Sequence, residues 1–128
     1  MDYLPSTLAA LVSDLEARGF KVVECAPGNE LWRETILRGP GPVAAVRLFR
    51  ERGLWGVDLS LEEEYYNPYD VLLALDSAEY KARALSHAER RAMTLEALDR
   101  MPSDAGAISE LRARLRRRCC LRDAPTQE

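Results

Sequence analysis

The sequence predicts an α+β fold: an N-terminal helix, a four-stranded antiparallel β-meander, and then three to four C-terminal helices packed on one sheet face. Three observations predict it. Apolar residues first recur with helical period, with Leu8, Leu11, Val12 and Leu15 at i, i+3, i+4 and i+7. The middle third switches to period two, most cleanly where Trp55, Val57, Leu59 and Leu61 alternate with Gly56, Asp58 and Ser60. Helical spacing returns after Pro68, in segments that open on capping residues.

Taken in order, Ser6 is the expected N-cap of the first helix, since its hydroxyl can accept an orphan backbone N–H, and Gly19 suits the left-handed residue that ends it. Phe20 to Cys25 reads as a strand, Pro27-Gly28-Asn29 as a turn, and Leu31 to Leu37 as a second strand. Gly39-Pro40-Gly41-Pro42 must interrupt the ladder, because proline has no N–H to give it. Val43 to Arg50 and Leu54 to Leu61 complete the meander, joined by a tight connection at Arg50-Glu51-Arg52-Gly53. One face of this sheet is buried and the other at least partly wet.

Asn67, Pro68 and Asp70 form a helix start: a cap, a fixed φ at the first position, and an acid in the first turn. A short apolar helix follows from Val71 to Leu75, and Ser77 is expected to cap a further turn or two through Arg83. Ser86 and Glu89 have capping-box spacing. The helix they open runs to Met101 with Ala88, Ala92, Leu95 and Leu98 on one face. Pro102 ends it, Ser103 is expected to cap the last helix, and Ile108, Leu111, Leu115 and Cys119 make its apolar stripe.

The 128 residues suit one domain, spanning 1–122 with a frayed tail at 123–128, and can bury a core without disulfides or metals. No apolar run approaches the roughly 18 residues that span a bilayer. The Met1-Asp2-Tyr3-Leu4-Pro5 start lacks a basic n-region, so a cytoplasmic protein is expected. Cys25, Cys119 and Cys120 are an odd count with an adjacent pair, which is a poor disulfide framework; three reduced thiols are expected.

No catalytic or cofactor signature occurs. Gly39-Pro40-Gly41-Pro42 lacks the lysine and the strand–loop–helix setting of a phosphate loop. His87, the single histidine, lies at a helix start with no nucleophile tied to it by spacing. The expectation is a non-catalytic protein without cofactor or metal.

Charge is unevenly laid out. Residues 1–80 carry fourteen acids against seven bases, and residues 81–128 carry seven acids against eleven bases. Two segments stand out. Glu62-Glu63-Glu64 can be a solvated edge that discourages strand aggregation. With Asp58 before it and Tyr65, Tyr66 and Tyr69 after it, the same segment is a candidate receptor for a basic partner, since tyrosine supplies contact area with a polar tip. The second segment is the arginine run Arg112, Arg114, Arg116, Arg117 and Arg118. It sits near a helix C-terminus, where positive charge is favoured anyway, and it could meet the phosphates of nucleic acid.

The segment Glu51-Arg52-Gly53-Leu54-Trp55-Gly56-Val57-Asp58-Leu59-Ser60, which ends a meander and leads to an aromatic-rich helix, resembles small bacterial immunity proteins of polymorphic toxin systems, over roughly residues 43–75. The resemblance implies a stoichiometric inhibitor that binds one toxin domain and has no chemistry of its own. It carries no functional residues over; the partner-facing residues rest on the charge and tyrosine argument. The leading expectation is thus a protein-binding module, an immunity protein occluding a toxin with a basic surface. The alternatives are a nucleic-acid-associated regulator using the arginine helix, and a homo-oligomeric scaffold or adaptor.

Overall fold

The order of elements follows the switches of hydrophobic period. The computed structural model describes residues 4–26, 32–81 and 83–122, except for the side chains at 25, 26, 32 and 119–122. Helix α1 (Ser6–Ala17) leads into strands β1 (Lys21–Ala26), β2 (Trp32–Arg38), β3 (Val43–Glu51), β4 (Leu54–Leu61) and β5 (Glu64–Tyr66). Helices α2 (Pro68–Leu75), α3 (His87–Arg100) and α4 (Ala105–Arg122) follow. The sheet is antiparallel with strands in sequence order, so the fold is α+β. The expected Pro27-Gly28-Asn29 turn and the 123–128 tail lie outside the described residues.

Alternation assigns the two sheet faces. Leu37, Val46, Leu48, Val57, Leu59 and Leu61 point to one face and join Leu8, Leu11, Leu15, Val71, Ala97, Leu111 and Leu115 in a single core. All four helices therefore contribute to the layer on that face. Burying a leucine or valine side chain there is worth about 1.5–3 kcal/mol. The other face, here called the outer face, carries Ile36, Arg47, Phe49, Asp58 and Tyr65, all half-buried. Its floor is made of small residues, with Ala45 and Ser60 buried beside the larger ones.

Five strands form where four were expected. The fifth was missed because it has three residues and its hairpin turn contains neither glycine nor asparagine. Glu62 and Glu63 both take positive φ, +47° and +76°, and the register closes on Leu61 opposite Glu64. This is the mirror-image two-residue turn that matches strand twist, filled here by residues that disfavour it.

Helix ends bring further corrections. Ser6 is not a cap but the first helical residue; Pro5 is the N-cap, with no side-chain hydrogen bond. Ser77 does not open a helix to Arg83. It takes φ +54° and closes α2, its N–H bonding to Ala74 O and the next N–H, of Ala78, to Leu73 O. That is a Schellman ending with serine where glycine is usual. Ser103 does not cap α4; the Asp104 carboxylate does, accepting from the Ala107 N–H at 2.9 Å. Asn67 caps α2 as expected, and Ser86 and Glu89 form both bonds of the capping box.

Helix α3 is rotated from the expected face. Ala88 and Ala92 are exposed, while Thr94 and Ala97 are fully buried. Thr94 tolerates the core because its hydroxyl donates to Arg90 O at 2.6 Å. Among the described residues, no helix is long and apolar enough to cross a membrane.

Candidate protein-binding face

Two charged clusters occupy the region around β4 and β5. The first lies on the outer face and is built by strand register. Pairing of β3 with β4 sets Arg47 opposite Asp58 and Phe49 opposite Gly56, and pairing of β4 with β5 sets Ser60 opposite Tyr65. Arg47 Nη2 donates to Asp58 Oδ2 at 2.6 Å. The same guanidinium lies 4.2 Å from the Tyr65 ring centroid and 5.1 Å from that of Phe49. One cation is thus held by a carboxylate and two aromatic rings. Burial pushes the Asp58 carboxyl up from its ordinary range, although the Arg47 hydrogen bond pulls the other way; the nearby charge of Asp70 adds to the rise.

Gly56 is part of this construction. A Cβ there would sit 2.4 Å from the Phe49 ring, so the bare backbone is what lets the ring lie flat across the strand.

The second cluster joins the β4–β5 turn to α4. Arg112 pairs with both Glu62 and Glu64, the latter at 2.7 Å, and Arg116 pairs with Glu64. Tyr66 donates its hydroxyl to Glu64 Oε2 at 2.7 Å. With Arg116 beside it and the Tyr66 hydroxyl bonded to it, Glu64 is held down at about 2. Tyr66 is raised by its own burial and by the carboxylate it bonds.

The structure therefore divides the residues expected to form one partner surface. Asp58 and Tyr65 belong to the outer face. Glu62 and Glu64 are neutralised by the arginine helix. Tyr66 is only 5 % exposed and is a core residue, out of a partner's reach. Tyr69 faces the chain after α2, its hydroxyl donating to Lys81 O at 3.0 Å and its ring 5.6 Å from the Arg83 guanidinium. Glu63 stands exposed at the turn, with no ion pair among the described residues.

The arginine run is divided too. On α4 the buried stripe of Ile108, Leu111 and Leu115 separates Arg112 and Arg116 on one flank from Arg114, Arg117 and Arg118 on the other. Arg112 and Arg116 are thus engaged within the molecule.

Sequence reasoning missed Ile36, Arg47 and Phe49 as surface residues. The signal was present: Arg47 and Phe49 alternate with the apolar Val46 and Leu48, so they must share the face of Asp58 once β3 and β4 pair. His87 opens α3 half-buried, and among the described residues no group of three or more His, Cys, Asp or Glu could hold a metal ion. No protein-family model, curated protein or solved structure matches this chain.

Proposed function

We propose that this protein is a non-catalytic binding module that occludes a cognate toxin domain, acting in the cytoplasm as small immunity proteins do. The observation that supports this reading is the outer-face cluster of Arg47, Asp58, Phe49 and Tyr65, half-buried and locked by mutual contacts on a sheet braced from behind by four helices. Arginine and aromatic side chains dominate the energetics of protein interfaces, and side chains already ordered lose little entropy when a partner arrives. The acid-rich first 80 residues and exposed Glu63 supply the charge that would steer a basic partner onto this face. The resemblance of residues 43–75 to immunity proteins points the same way.

The test uses the small toxin domain encoded beside this gene, if the native genome holds one. Co-expression should restore growth, and the two chains should co-elute as a stable complex. Replacing Tyr65 and Phe49 together by alanine should weaken the complex at least about tenfold, while Glu63→Lys should mainly slow association. A toxin complex that keeps its affinity in the folded Tyr65/Phe49 double variant sinks the assignment of this face. The nucleic-acid reading of the arginine helix retains Arg114, Arg117 and Arg118 only, and retention on heparin at low salt tests it.

A further inference from the structure

A cleft of about 660 Å³ opens between the α2–α3 linker and the C-terminal half of α4, away from the outer face. Its walls include Ser77, Glu79 and Tyr80 on one side and Arg114, Arg117 and Arg118 on the other. The three arginines fall at i, i+3 and i+4, which places them along one flank of the helix. Two are held by bonds from their guanidinium groups. Arg114 donates to Glu110 at 2.7 Å and to Ala74 O at 3.3 Å, and Arg118 donates to Leu73 O at 3.4 Å. Those carbonyls belong to the last turn of α2, so the guanidiniums are oriented by a helix C-terminus and each keeps further N–H donors. Arg117 is exposed and has no carboxylate partner among the described residues.

We infer that this cleft is a binding site for a nucleoside phosphate. Three guanidiniums line the cleft with one carboxylate, Glu79, and Glu110 neutralises only Arg114, so the cleft keeps a positive excess that favours an anion, and guanidinium forks suit phosphate oxygens in particular. Tyr80, 42 % exposed at the linker, offers a ring face against which a base can stack. The volume lies within the range of pockets that enclose ligands of nucleotide size. A single-stranded nucleic acid would call for successive aromatic platforms along a groove, and this cleft presents one ring.

Isothermal titration calorimetry of the full chain at low salt, with ADP, pyrophosphate and adenosine as probes, tests the site. ADP should bind, pyrophosphate should bind more weakly, and adenosine should give no heat. Arg117→Glu should weaken ADP at least about tenfold by removing a charge-assisted donor and adding repulsion. Tyr80→Ala should weaken ADP but leave pyrophosphate unchanged. Glu79→Gln should tighten both anions. Arg52→Ala, in the distant β3–β4 turn, should change nothing. Far-UV circular dichroism confirms that each variant folds, and Arg117→Gln serves in place of Arg117→Glu if the latter does not. Absence of ADP binding at millimolar concentration overturns the inference. So does ADP affinity indifferent to Arg117, equal binding of adenosine and ADP, or binding seen only with an oligonucleotide. None of these outcomes bears on the outer face, so the two proposals stand or fall separately.

Discussion

The Arg47–Asp58 pair and the Glu64–Arg116 pair are made of the same chemical groups, yet their carboxylates titrate in opposite directions. Asp58 is 16 % exposed and meets one guanidinium; burial wins and its carboxyl rises. Glu64 is 41 % exposed and receives donors from Arg116, Arg112 and Tyr66; the donors win and it falls to about 2. An ion pair's effect is therefore not readable from its distance alone. The number of donors and the water left around the carboxylate decide the sign.

The outer-face pair should be the more sensitive to mutation. Asp58→Ala removes the carboxylate from a cation that is 24 % exposed, and should cost about 3 kcal/mol in urea unfolding. Gly56→Ala drives the Phe49 ring off the strand and should cost about 2 kcal/mol by the same measurement. Tyr65→Ala removes the closer ring from Arg47 and should cost about 1 kcal/mol. At the exposed pair, Arg116→Ala should lower the urea midpoint at neutral pH only slightly, while the Glu64 carboxyl, followed by NMR, moves up toward 4.5. A large stability loss in that variant would erase the contrast.

Acid should separate the two pairs as well. Glu64 is depressed in the folded state, so its contribution to stability is complete above about 4.5 and is lost as pH falls toward 2. Asp58 is raised, so its ionisation opposes folding above its folded pKa, and that opposition disappears as pH falls toward 3.8. The two effects act against each other during acidification. Urea midpoints measured against pH should therefore fall less steeply in Arg116→Ala than in the native chain, and more steeply in Asp58→Asn.

Much of the fold was legible in the residues. The stripe of Leu8, Leu11, Val12 and Leu15 is the buried face of α1, and the alternation from Leu54 to Leu61 marks β4 and its core side. Asn67 and the Ser86–Glu89 box cap the helices they were expected to cap. These features are written in spacings of two to four residues, where backbone geometry alone sets which side chains meet. Two of the misreadings, the missed β5 and the helix expected after Ser77, came where a residue took an uncommon conformation. Glu62, Glu63 and Ser77 all sit at positive φ, and no residue-type preference announces that. The caps at Ser6 and Ser103 were misplaced by one residue, and the face of α3 by a rotation of the helix. The candidate site was legible only in fragments: Asp58 and Tyr65 were picked out, but as neighbours of Glu64 and Tyr66 along the chain rather than of Arg47 and Phe49 across it.

Period and capping, which act over a single turn or a strand, settled which segments are helix or strand and which of their faces is apolar. Contacts between residues far apart in the chain settled the use of the charges. Glu64 and Arg116 are 52 residues apart, and Arg112 lies 50 from Glu62. Each segment alone reads as a free acidic or basic surface, and only the packing of α4 beside the β4–β5 turn cancels them. The outer-face cluster is likewise a product of register, because a slip of one residue between β3 and β4 would send Asp58 and Arg47 to opposite faces.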